Sequence, residues 1–97
     1  MRWLLLGLVT ALTTLLACSA QHATPEQCRA IFDRLVILEL REMGFQDPAL
    51  AKIRQKELAS QYQGEIDTCV GRPLPAGAME CIAKAKNAES LSHGCLD

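Results

Sequence analysis

The stretch that decides the fold is TPEQCRAIFDRLVILELREMGFQDP, Thr24 to Pro48. Thr24-Pro25-Glu26-Gln27 combines a hydroxyl cap, a proline suited to the first helical position and a glutamine able to reach back to the cap, which together form a capping box. Cys28, Ile31, Phe32, Leu35, Leu38 and Met43 then recur at intervals of three and four, the spacing of one apolar helical face. Ile37 and Leu40 widen that face and Glu39 interrupts it, so this helix must bury more than one side. Gly44 ends it, because glycine accepts the left-handed backbone that commonly closes a helix.

Downstream, the same devices repeat. Asp47-Pro48 is a second cap with proline, and it predicts a helix from there to about Cys69 with Leu58, Tyr62, Ile66 and Cys69 along one stripe. Gly64 weakens its last turns, and Gly71 and Pro73 close it. Pro75 opens a third helix running to roughly Asn87, and Asn87 caps a short fourth segment that ends at Gly94. No alternating strand pattern and no internal repeat is legible. The expected fold class is all-α: a small bundle of three helices plus a short C-terminal helical segment, stapled by disulfides.

Upstream of Thr24 the character changes. Met1-Arg2 is a short positive region, Trp3 to Leu16 is apolar, and small residues follow, which is the three-part layout of an export signal. The apolar run is shorter than the ~20 residues a spanning helix needs, and polar Ser19, Gln21 and His22 come directly after it. Leu15-Leu16-Ala17-Cys18 resembles the bacterial lipobox: an aliphatic residue three before the cut, a small one next to it, and the cysteine that takes the lipid. The resemblance covers the leader alone, and Leu16 is bulkier than the usual residue at its place. It implies a leader at 1–17, lipid on Cys18, a short tether at 18–24 and a helical domain at 25–97. By the same family's sorting pattern Ser19 implies the outer membrane, on the periplasmic leaflet or the surface. A rival cut after Ala20, with Cys18-Ser19-Ala20 as an ordinary small-x-small site, would release a soluble protein.

Either cut takes Cys18 out of disulfide chemistry. That leaves Cys28, Cys69, Cys81 and Cys95, an even set in an exported chain, for which three pairings exist. The midpoint between Cys28 and Cys69 falls at Asp47-Pro48, so an antiparallel hairpin turning there brings both cysteines together, and Cys81 is left for Cys95. These are the favoured pairs, each contributing ~3 to 4 kcal/mol by loop entropy. Pairing Cys28 with Cys95 and Cys69 with Cys81, which would clasp the Gly71 to Gly77 loop, stays open.

Composition narrows the function. The chain has 97 residues, enough for one small domain after the leader is removed. With Arg2 in the leader, nine of the ten Lys and Arg remain to face eleven Asp and Glu, and Trp3 goes with the leader too. There is no basic patch with interleaved aromatics, so nucleic acid is not an expected partner. Cys69, Cys81, His93 and Cys95 are zinc-compatible residue types without zinc spacing. His22 and His93 lack an obvious free thiol to activate, Ser90, Ser92 and His93 lack the glycines of a nucleophile elbow, and no CxxCH haem motif occurs. No catalytic, metal or cofactor site is therefore expected.

Two surface candidates stand out. Ile37 and Leu40, on the crowded run Leu35 to Leu40, are either covered by the third helix or free to hold a partner. Lys52, Arg54, Lys56 and Glu57 form a mixed-charge stretch, read as a solvated face, with rest on anionic lipid headgroups near the anchor as the alternative. The phrase Met79-Glu80-Cys81-Ile82-Ala83-Lys84-Ala85, leading to Leu91-Ser92-His93-Gly94-Cys95, is similar to small helical exported proteins of Gram-negative bacteria. That likeness spans about the last thirty residues and implies paired cysteines and helices, with no activity. The expected function is a lipid-anchored, non-enzymatic interaction or accessory protein of the cell envelope, of the pilotin, exclusion-factor or assembly-factor kind, with an envelope protein as partner. The alternative is a soluble secreted or periplasmic enzyme inhibitor or small binding protein.

Overall fold

The structure, a computed structural model, describes residues 21–97; the expected leader and Cys18 lie outside the described residues. Helix α1 spans Pro25–Glu42 and starts on the full capping box. The Thr24 hydroxyl accepts from the Gln27 amide at 3.1 Å, and the Gln27 side chain accepts from the Thr24 amide at 2.9 Å. At its other end Gly44 takes φ +90°. The Gly44 amide donates to Arg41 O at 2.9 Å and the Phe45 amide to Leu40 O at 2.8 Å, the paired bonds of a Schellman closure.

Helix α2, Pro48–Gln61, starts where the Asp47 carboxylate accepts from the Ala49 amide at 3.0 Å. The single helix expected from Asp47 to Cys69 is instead two. Tyr62 leaves helical geometry at φ −107°, ψ 28°, and α3 resumes over Gln63–Cys69. Hydrogen bonding continues around the break, from the Tyr62 amide to Leu58 O and from the Ile66 amide to Tyr62 O. Tyr62 itself lies against Phe32 of α1, with ring centroids 6.2 Å apart. Gly64, with no side chain to pack and a poor helix former, follows two residues later.

α1 and α2–α3 run antiparallel. The Gln55 side chain donates to Asp33 O at 3.0 Å, and at the open end of the hairpin Cys28 is bonded to Cys69 with their Cα atoms 5.9 Å apart. The chain then forms a two-residue strand that no alternation announced. β2, Pro73–Leu74, pairs antiparallel with β1, Gln21–His22. The Ala23 amide donates to Arg72 O and the Gly71 amide to Ala23 O, both at 2.8 Å, and Ala23 is buried. The folded unit therefore includes Gln21 to Ala23, inside the segment expected as tether.

Helix α4, Ala78–Lys84, begins three residues after Pro75. Gly77 supplies the left-handed residue, φ +74°, that turns the chain into it. It also stops short of Asn87, because Ala85 is extended at φ −60°, ψ 136°. Arg34 of α1 receives the freed helix end: Nε donates to Ile82 O at 3.3 Å and Nη2 to Ala85 O at 3.0 Å. Asn87 caps the next turn through its Oδ1, which accepts from the Ser90 amide at 2.7 Å, while Glu42 accepts from the Ala88 amide at 3.1 Å. The last segment, α5, Ser90–Cys95, is wound as a π-helix, and Cys95 is bonded to Cys81.

α1 is thus central. One of its sides packs on α2, α3 and Ala23 through Cys28 and Phe32; the other packs on α4 and α5 through Ile31, Leu35 and the fully buried Leu38. Cys69 and Leu74 touch both groups and join them into one core. The fold class is all-α, with the small β1–β2 pairing added to it, and among the described residues no helix is long and apolar enough to cross a membrane.

Candidate functional site

Ile37 and Leu40 do not form the open apolar face that the sequence allowed. Leu40 is 7% exposed and Ile37 is half-buried. Both line a shallow depression of about 150 Å³ with Phe45, Pro48 and Ala51, beside the Schellman closure that turns the chain out of α1. Val36 and Leu38 are buried as well, so the run Leu35 to Leu40 is spent mainly on the core. What remains apolar and open at this end is the turn itself, Met43 at 64% and Phe45 at 50% exposure.

A larger depression, about 490 Å³, opens near the other end of α1. Its floor is Ile31, Phe32 and Leu35 of α1, Ile66 of α3, Leu74 of β2 and Leu96 after α5. Glu65, Arg72, His93 and Asp97 stand among its lining residues and give it charges of both signs. Four stretches far apart in sequence meet here, and both disulfides fix their placement: Cys28–Cys69 joins α1 to α3, and Cys81–Cys95 ties α5 to α4. The volume falls within the roughly 300–1,000 Å³ typical of ligand pockets, and an apolar floor with a few polar groups is their usual chemistry.

The residues that invited sharper chemistry are placed apart or occupied. Cys69, Cys81 and Cys95, the sulfur members of the zinc-compatible set, are all in disulfides. His93 faces Asp97 at 3.3 Å on an open surface, and His22 Nδ1 lies 3.0 Å from Gly71 O. Among the described residues no group of three or more His, Cys, Asp or Glu side chains is disposed to hold a metal ion. Lys52, Arg54 and Lys56 are exposed on α2, where Arg54 pairs with Glu57 at 3.3 Å between two open side chains, a contact of little energetic weight.

Sequence periodicity did not single out the groove, because Ile31, Leu35 and Ile66 carry the same spacing signal as core residues. Leu74 and Leu96 sit in irregular stretches where no period exists. Two disulfides, of which Cys28–Cys69 lines the groove, belong to an oxidising, extracytoplasmic compartment. No known family, curated protein or solved structure matches the chain.

Proposed function

We propose that this chain is a lipid-anchored accessory protein of the bacterial cell envelope, held at the outer membrane through Cys18, that takes an apolar segment of an envelope protein into the groove between α1, α3, β2 and α5. The observation that carries the reading is the groove itself: buried Ile31 and Ile66 and half-buried Phe32, Leu35, Leu74 and Leu96 line one depression of about 490 Å³ edged by a few charged groups. A partner's amphipathic helix, or an extended stretch with alternate apolar side chains, supplies the missing cover. Binding rather than catalysis fits a site whose polar groups stand around an apolar floor without forming a nucleophile–base pair.

The anchor reading rests on Leu15-Leu16-Ala17-Cys18 and on the extracytoplasmic disulfides. Acyl chains contribute about 0.8 kcal/mol per buried methylene, so more than one chain on Cys18 makes attachment effectively permanent. The test is a photo-crosslinking amino acid placed at Leu96 in the full chain, expressed in its native envelope. One discrete protein adduct is expected, lost when Leu74→Asp puts a charge on the groove floor. An adduct from a crosslinker at Phe45, with none from Leu96, would move the binding site to the α1–α2 turn and refute the groove.

A further inference from the structure

The start of the domain is pinned more tightly than a tether requires, and the place where it is pinned fixes which face meets the bilayer. Gln21 and His22 pair with Leu74 and Pro73, and Ala23 exchanges backbone hydrogen bonds with Gly71 and Arg72. Cys18 precedes Gln21 by three residues. Three residues span at most about 11 Å, so any lipid on Cys18 enters a bilayer within that distance of β1. The loop Val70 to Pro73, hydrogen-bonded to the residues after Gln21, then lies at headgroup level. The turn at Met43 and Phe45 is at the other end of the 18-residue α1, roughly 26 Å away.

The chemistry of the near face suits that position. Residues 21–23 and 70–73 carry Arg72 and His22 and no carboxylate, the acidic Glu65 and Asp97 standing around the adjoining groove. Arg72 is exposed, and among the described residues its side chain makes no ion pair or hydrogen bond. Val70 beside it is 40% exposed. A guanidinium with no partner among the described residues, near an open aliphatic side chain, matches a phospholipid surface, where the cation meets headgroup phosphate and the apolar group enters the boundary below. The basic side chains of α2 are less well placed: Lys52 and Arg54 lie in its first half, toward the far turn.

We propose that the loop Val70 to Pro73, with His22, is the face on which the domain rests on an anionic phospholipid bilayer, so that the Met43–Phe45 turn points away from the membrane. The inference rests on the reading of Cys18 as lipidated. It gives the accessory role a geometry: the groove, which Arg72, Pro73 and Leu74 help to line, opens beside the membrane, within reach of a partner's membrane-proximal segment.

The sequence supplies a clean assay. Its one tryptophan, Trp3, lies in the leader, so the mature chain carries none and any introduced tryptophan is a lone reporter. The lipidated full-length product is reconstituted into phosphatidylethanolamine–phosphatidylglycerol vesicles with brominated acyl chains, as Val70→Trp, as Gln21→Trp in case the first disturbs the loop, and as Phe45→Trp. Quenching and a blue shift are expected for the reporters at 70 and 21 and neither for the one at 45. Adding Arg72→Ala to the Val70→Trp protein lowers the ratio of resting to lifted domain about fivefold, the equivalent of about 1 kcal/mol for one cation at such a surface. Quenching at 45 equal to that at 70, or none at 70 and 21 in vesicle-bound lipidated protein, overturns the inference and leaves the anchor intact. A mass measurement on the same sample that finds no lipid on Cys18 overturns both.

Discussion

Removing the Cys28–Cys69 bond is expected to cost more than removing Cys81–Cys95, by an amount set by loop length. The first bond spans 41 residues and the second 14, and the loops do not overlap, so their effects on the unfolded chain are separable. Loop entropy gives about 13 cal/mol/K for the longer loop, or about 3.9 kcal/mol at 25 °C, and about 10 cal/mol/K, or about 3.0 kcal/mol, for the shorter. Local packing acts in the same direction, since buried Cys28 is paired with Cys69, half-buried against both core groups, whereas buried Cys95 is paired with the exposed Cys81. The variants are Cys28→Ala/Cys69→Ala and Cys81→Ala/Cys95→Ala, and the assay is urea unfolding followed by far-ultraviolet circular dichroism. The longer-loop variant should unfold at the lower urea concentration, with a stability gap of about 1 kcal/mol between the two. For a domain this size total stability is of order 4–12 kcal/mol, so either loss is large. Equal losses, or a larger loss from the shorter loop, would refute the loop-entropy reasoning.

Leu38→Ala, at a fully buried position between α1, α4 and α5, should cost ~2–5 kcal/mol in the same assay, whereas Ile53→Ala, at 55% exposure, should stay within about 0.5 kcal/mol. Arg34→Met keeps much of the apolar stem and removes the bonds to Ile82 O and Ala85 O; a loss of ~1.5–3 kcal/mol is expected, with faster amide exchange at the end of α4. Thr24→Ala breaks the capping box and should lower the urea midpoint by the equivalent of ~1 kcal/mol. Gly77→Ala places a Cβ on a residue at φ +74° and should destabilise by about 1 kcal/mol although nothing crowds the position, which a melting curve beside Gly64→Ala, in a helical segment, would separate.

What the sequence disclosed was local chemistry. Thr24 with Gln27, Asp47 with Pro48, Gly44 and Asn87 each mark a helix end through a bond the backbone needs, and each makes that bond or that turn in the structure. What it concealed was set by contacts distant in sequence. The break at Tyr62 accompanies packing on Phe32, thirty positions earlier. α4 ends early where Arg34 accepts the task of capping it, and β1 and β2 are too short for any alternation to show. Ile37 and Leu40 could be read either as covered or as free, because a helical wheel cannot show that Phe45 and Pro48 come to line a depression with them. The groove is the extreme case, since its walls are assembled from α1, α3, β2 and the tail, and no single stretch contains its pattern.

The central claim, a disulfide-stapled domain carried at a membrane by lipid on Cys18, is tested most directly by intact-mass spectrometry of the protein from its native membrane fraction, with and without reduction and alkylation. The account predicts a chain starting at acylated Cys18 that takes up four alkyl groups after reduction and none before. An unlipidated chain starting at Gln21 would contradict the anchor, and alkylation without reduction would contradict the paired cysteines on which the fold and its groove depend.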